Sequence, residues 1–243
     1  MYLEPFKNID FMLSEEARPL RILSEYSYPL SVLKKQDIKS AIVFFGSARI
    51  HPESEEQPSH LKQYYEDTVQ ISKKLTEWAL TKCKNPSRQD KFVICTGGGP
   101  GIMEAGNKGA RLAGGRSIAL NIKLPHEQAA NPYVDPNLTF TFHYFFMRKL
   151  WFMQLAEAVV VMPGGFGTID ELFEVLTLIQ TSKAAKIPII LYGKDFWNDL
   201  INFEKLADYK LIERSDLNLI YRTDSVDEAV EFIVTYLESD MFQ

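Results

Sequence analysis

The feature that most restricts how this chain can fold is a glycine-rich turn held between two different periodicities. Ala158-Val159-Val160-Val161 is an unbroken apolar run, and Ile169, Leu172, Phe173, Leu176 and Ile179 follow with helical spacing. Between them stand Met162, Pro163, Gly164, Gly165, Phe166, Gly167, Thr168, Ile169, Asp170 and Glu171. An apolar run without alternation reads as a strand covered on both faces, and the spacing after it as an amphipathic helix. A glycine turn in that position aims backbone N–H groups, and the positive end of the helix dipole, at whatever sits above the sheet edge. The ligand favoured there is an anion, most often a phosphate. Glu171 is discordant, because a pure phosphate cradle gains nothing from a carboxylate.

A second turn of the same kind lies upstream. Residues 91–96 read as a buried strand, followed by Gly97, Gly98, Gly99, Pro100 and Gly101. The next segment carries Ile102, Gly106, Gly109, Ala110 and Ala113 on one side, small residues that let a helix approach a sheet closely. Further strands are expected at 40–45, 117–122, 138–142, 157–162, 187–192 and 218–222. Helices are expected at 61–81, 143–155, 168–181, 196–207 and 226–238. Strands alternating with helices predict an α/β fold, a doubly wound and mostly parallel Rossmann-like sheet flanked by helices. Residues 1–39, with apolar pieces broken at Pro19 and Pro29, read as an N-terminal helical arm. Residues 40–243 read as one nucleotide-binding domain. Ligands of such sheets bind beyond the carboxyl ends of the strands. The turn at 46–49, the turn at 97–101, the proline-rich loop 123–137 and the turn at 163–168 should therefore meet at one site.

The bulk numbers remove several classes of function. A chain of 243 residues that is 46% hydrophobic can bury a full core. Twenty-seven basic against 32 acidic residues, net −5, argues against a nucleic-acid binder. No apolar run has the length of a membrane span, and the N-terminus lacks the layout of a secretion signal. Cys83 and Cys95 are too few for a disulfide framework, and His51, His60, His126 and His143 have no metal-ligand spacing, so no metal is expected. A cytoplasmic setting fits.

Generic nucleotide motifs fail on inspection. From Gly99 the sixth position of a dinucleotide fingerprint is Glu104, and from Gly165 it is Asp170. A Walker loop fails because Asn107 follows Gly106. The candidates that remain each have a plain structural alternative. Thr168 and Glu171 have capping-box spacing, so the carboxylate could serve the helix backbone as readily as a substrate. Arg148 and Lys149 are the only charges between Tyr144 and Met153, in a helix apolar nearly all round. Either cation could occupy a site or reach outward to solvent. Ser47 could cap or touch a ligand, and Glu104 could brace its own helix.

At this point the chain resembles the LONELY GUY family of nucleoside 5′-monophosphate phosphoribohydrolases, long labelled as lysine decarboxylases. The motif Pro-Gly-Gly-x-Gly-Thr-x-x-Glu is matched from Pro163 to Glu171, and the triple-glycine turn and the Arg148–Lys149 pair are similar to the family's. Residues 145–149 read Phe-Phe-Met-Arg-Lys where short members carry Met-His-Glu-Arg-Lys, and the arm and long loops look like a longer branch. The resemblance implies Arg148 and Glu171 as the catalytic pair. It implies nucleotide binding by Ser47, Gly97, Gly98, Gly99, Gly101, Glu104, Gly164, Gly165, Gly167 and Thr168. The implied reaction yields a free base and ribose 5-phosphate, needs no cofactor, and takes place in at least a homodimer. The alternative is a non-catalytic nucleotide- or cofactor-binding protein on the same fold.

Overall fold

The computed structural model describes residues 3–53, 58–82, 92–124 and 130–241. Cys83, His126 and parts of the loops 51–60 and 123–137 lie outside them. Seven strands form one sheet: β1 (Ala41–Phe45), β2 (Val93–Thr96), β3 (Ser117–Ile122), β4 (Thr139–Phe142), β5 (Ala156–Val161), β6 (Ile189–Tyr192) and β7 (Ile220–Thr223). Their spatial order is β4-β3-β2-β1-β5-β6-β7, and every pairing is parallel. The order reverses between β1 and β5, where connections to either side leave a crevice above the strand ends.

The helices divide between the two faces. On one lie α1 (Ile9–Leu13) and α2 (Arg18–Lys35) of the arm, then α5 (Phe145–Leu155), α6 (Phe166–Gln180), α7 (Lys194–Leu200) and α8 (Phe203–Asp208). On the other lie α3 (Ser59–Lys82), α4 (Ile102–Leu112) and α9 (Val226–Met241). β1 shows why its strand sequence is apolar throughout. Val43 and Phe45 join the core beneath α5 and α6, whereas Ile42 and Phe44 join the core beneath α3 and α4. Each fully buried side chain of this size contributes about 1.5–3 kcal/mol of hydrophobic stabilisation. The small residues of α4 serve two neighbours. A Cβ on Gly106 would lie 2.9 Å from Thr96 on β2, and one on Gly109 would lie 2.4 Å from the Val69 carbonyl of α3.

Three of the boundaries that differ from the sequence expectation have a clear structural cause. The arm is not broken at Pro29, which sits inside α2. Proline removes the N–H that would bond the Glu25 carbonyl one turn back. The indole N–H of Trp151 donates to that carbonyl instead, at 3.0 Å. The helix expected over 196–207 is two helices, because the Asn202 side chain accepts from the Lys205 amide and starts α8 afresh. Finally, α6 begins at Phe166, two residues before Thr168, with Gly165 as its N-cap.

Candidate active site at the switch point

A cavity of about 700 Å³ opens over the ends of β1, β2, β3 and β5. That volume lies within the range of small-molecule sites. Three turns build it. The β1 turn is tied on both sides: Ser47 N–H donates to the Pro163 carbonyl, and Ile102 N–H donates to the Ser47 carbonyl, each at 3.0 Å. Gly101, at φ +67°, lets α4 begin against that turn, where a Cβ would meet the Ser47 carbonyl at 2.4 Å. The Ser47 hydroxyl accepts from the Arg49 amide at 3.1 Å, so it caps the turn as well as lining the cavity.

A buried polar network the sequence did not reveal holds the triple-glycine turn. Asn131 Nδ2 donates to the carbonyls of Gly98 and Gly99 at 3.1 and 3.0 Å, and to Asn107 Oδ1 at 2.9 Å. Thr96 Oγ1 donates to Asn107 Oδ1 and accepts from the Gly98 amide, and Asn107 Nδ2 reaches Ser117. Such a network is stable only when every member is paired, and it fixes one arrangement of the turn. The faint signal for it was an asparagine, Asn131, inside the proline-rich loop.

Arg148 and Glu171 meet on the cavity wall. Arg148 Nη1 lies 3.4 Å from Glu171 Oε1, with the two side chains only 12% and 13% exposed. Arg148 Nε donates to the Leu120 carbonyl at 2.7 Å, and its guanidinium lies over the Phe152 ring. Burial raises the Glu171 pKa to about 7 against the opposing pull of Arg148, and lowers that of Arg148 against the pull of Glu171. Burial also pushes the Cys95 thiol upward, which leaves it an inert core group. Lys149 points the other way and pairs with Asp170 and Glu174 at 2.8 and 2.9 Å. Adjacent helical residues diverge by about 100°, so one cation enters the cavity and its neighbour leaves it.

With the helix starting at Phe166, Glu171 lies in the second turn of α6 and has no capping role there. Of the residues singled out from sequence, Ser47, Gly97, Gly99, Arg148, Gly164, Gly165, Gly167, Thr168 and Glu171 line the cavity. Gly98, Gly101 and Glu104 do not. Gly98, at φ +72°, and Gly101 shape the turns, and Glu104 accepts from the Tyr65 hydroxyl at 2.8 Å behind them. Arg49, Asn121, Met103, Phe145 and Phe166 complete much of the lining without having been singled out. Phe166 is 94% exposed at the tip of its turn. Among the described residues, no group of His, Cys, Asp or Glu could hold a metal ion, and no helix is long and apolar enough to cross a membrane.

Comparison with known proteins adds a family. The sequence model described as possible lysine decarboxylase matches residues 103–233. Over 205 residues the chain is 24% identical to a cytokinin riboside 5′-monophosphate phosphoribohydrolase of Arabidopsis thaliana, covering 83% of this chain and 84% of that protein. It is 34% identical over 115 residues to the pyrimidine/purine nucleotide 5′-monophosphate nucleosidase of Escherichia coli K12. That match covers 41% of this chain and about a quarter of the relative's length, 24%. The molybdenum cofactor binding protein of Rippkaea orientalis superposes with a TM-score of 0.54 at 19% identity, over 84% of this chain and 98% of that one. At that identity the likeness is one of fold.

Proposed function

Since the chain belongs to the LONELY GUY family, whose sequence model is described as possible lysine decarboxylase, we propose that it hydrolyses nucleoside 5′-monophosphates to free base and ribose 5-phosphate. The observation that carries this is the placement of Glu171. Its carboxyl faces the cavity beside Arg148, and α6 is capped without it. A residue kept only to finish a helix has no reason to sit on a buried arginine.

The chemistry follows from charge. Breaking the glycosidic bond develops positive charge on the ribose, as in glycoside hydrolysis. A water oxygen bonds to C1′, the bonding pair leaves with the base nitrogen, and a proton passes from water to the base. Glu171 as carboxylate stabilises the cationic sugar or takes the proton of the attacking water. Arg148, held by Leu120 and Phe152, keeps that carboxylate in place and offers its remaining donors to the substrate. The 5′-phosphate is held by amides of the two glycine turns and the Thr168 hydroxyl. Gly165 and Gly167 support this placement, because a Cβ at either would meet nothing within 4 Å. Neither packing nor a positive φ requires glycine there, and the open turn leaves room for a ligand against the backbone. The described lining has no lysine, so a decarboxylase acting through a lysine Schiff base finds no amine in this cavity. The setting is the cytoplasm, and the working unit a homodimer.

The test is base release from a panel of purine, pyrimidine and cytokinin monophosphates. Glu171→Gln is expected to abolish release, by about 10³-fold or more, while nucleotide affinity changes little. Silence of the wild-type protein across the panel, with nucleotide still bound, identifies a non-catalytic binder instead.

A further inference from the structure

The charges on the cavity wall do not balance, and the imbalance has an address. Its described lining carries three ionisable groups, Arg49, Arg148 and Glu171. Arg148 is held in place: its Nε bonds the Leu120 carbonyl, its Nη1 faces Glu171, and its plane covers Phe152, so that only its remaining Nη donors are left for a substrate. With Glu171 ionised, the state in which it assists hydrolysis, Arg148 and Glu171 form an ion pair that adds no net charge. Arg49 differs, since its exposed guanidinium has no acceptor among the described residues. Its main chain is nevertheless fixed. The Arg49 amide donates to the Ser47 hydroxyl, and Ser47 itself is tied to Pro163 and Ile102. The result is a long cationic side chain on an anchored stem at the cavity wall.

We infer that Arg49 is the residue that selects a 5′-phosphorylated ligand, closing as a two-pronged clamp on the phosphate that the glycine turns cradle. The inference rests on the nucleotide reading of this site and gives it a specificity determinant. A phosphate monoester carries about −1.5 to −2 charge at neutral pH. Amide donors and helix ends supply only partial charges, and the Glu171 carboxylate in the same cavity opposes a second anion. A full compensating charge is needed, and among the described lining residues Arg49 is the cation without an acceptor. Its planar fork suits two phosphate oxygens at once, which a lysine cannot reproduce. A nucleoside without phosphate would leave that fork idle.

Calorimetric titration of wild type, Arg49→Gln and Arg49→Lys with ribose 5-phosphate, adenosine 5′-monophosphate and adenosine tests this. Arg49→Gln is expected to weaken both phosphorylated probes by about 10- to 100-fold and leave adenosine within about twofold. The Lys variant should recover part of the loss, and the salt dependence of phosphate binding should flatten in the Gln variant. Equal weakening for adenosine and its monophosphate, unchanged affinity in the Gln variant, or no binding of ribose 5-phosphate to wild type each overturns the assignment. Because Arg49 is exposed, the melting temperatures of the variants should match that of wild type, and a large drop would mark a structural role and also overturn it. Base release is not the readout, so the clamp stands or falls separately from hydrolysis.

Discussion

Gly97 and Gly167 line the same cavity but are glycines for different reasons, and the difference can be measured. A Cβ on Gly97 would come within 2.3 Å of Arg148 Nη2 and 2.6 Å of Met103 Sδ. Both are ends of flexible side chains, so the fold yields and the guanidinium moves. Gly97→Ala should lower turnover by about 10²-fold, yet cost no more than about 4 °C in melting temperature. Gly167 lies in the first turn of α6 with free space around it, where glycine costs the helix about 0.5–1 kcal/mol relative to alanine. Gly167→Ala should therefore raise the melting temperature while weakening nucleotide binding; a stabilised variant with intact affinity would remove Gly167 from the site. The pH dependence belongs to Glu171. With its pKa raised from 4.5 to about 7, the folded chain holds more protons than the unfolded chain between those values. The resulting stability is fully present below pH 4.5 and is lost as pH rises through about 7, by up to about 3 kcal/mol. Urea titrations should show wild type gaining on Glu171→Gln at pH 5 relative to pH 8, and a pH-independent difference would mean the carboxyl is not perturbed. Base release should rise over the same interval as the carboxylate forms. Spacing alone could not decide between cap and cavity for Glu171. The start of α6 decides it, and helix ends depend on local turn geometry more than on apolar pattern.

Elements that depend on local periodicity were readable, and those that depend on distant partners were not. The strands announced themselves because a parallel sheet buried on both faces needs unbroken apolar runs, as in Ala158–Val161. Pro29 misleads because the donor replacing its N–H is Trp151, far along the chain. The same stretch of α2 carries a second long-range contact. The Glu25 carboxylate accepts from the amides of His143 and Tyr144, at 2.7 and 3.3 Å, just ahead of the first turn of α5. Glu25 thus caps the helix bearing Arg148, and its charge suits the positive end of that helix. The arm grips α5 at its start and again at Trp151. Glu25→Gln should lower stability by about 1 kcal/mol, and Glu25→Ala by more, since the alanine leaves both amides unpaired. The check is a urea titration of each variant beside Glu16→Gln, whose exposed side chain touches neither amide. Equal midpoints for all of them would show that the arm does not cap α5.

The whole molecule poses a problem that no single helix solves. The segment 144–153 is apolar nearly all round, which demands cover on every side. One subunit covers only one side: Met147, Trp151, Phe152 and Leu155 enter the core and Phe145 faces the cavity, while Phe146 and Leu150 remain exposed on the outer side. Beside them α2 adds Leu20 and Leu23, and Pro19, Ile22, Leu23, Tyr26, Met147 and Leu150 line one continuous groove. Leu23 is 59% and Phe146 50% exposed. Contiguous apolar patches of this kind are rare on monomers and mark association surfaces. The patch lies on the outer side of the helix whose inner side holds Arg148, so association there would also brace the cavity wall. Sedimentation equilibrium of the full chain is expected to give a dimer, and Leu23→Glu combined with Leu150→Glu a monomer with unchanged circular dichroism. Arg18 is the one cation of the described groove lining, so of the two carboxylates added per subunit at least one would have to be buried unpaired on association, a cost of several kcal/mol that a standard interface cannot absorb. Turnover should fall with dissociation if bracing matters, and remain at the wild-type level if the patch serves assembly alone. A monomeric wild type, or a double variant that stays dimeric, would place the interface elsewhere and leave the outer face of α5 without its cover.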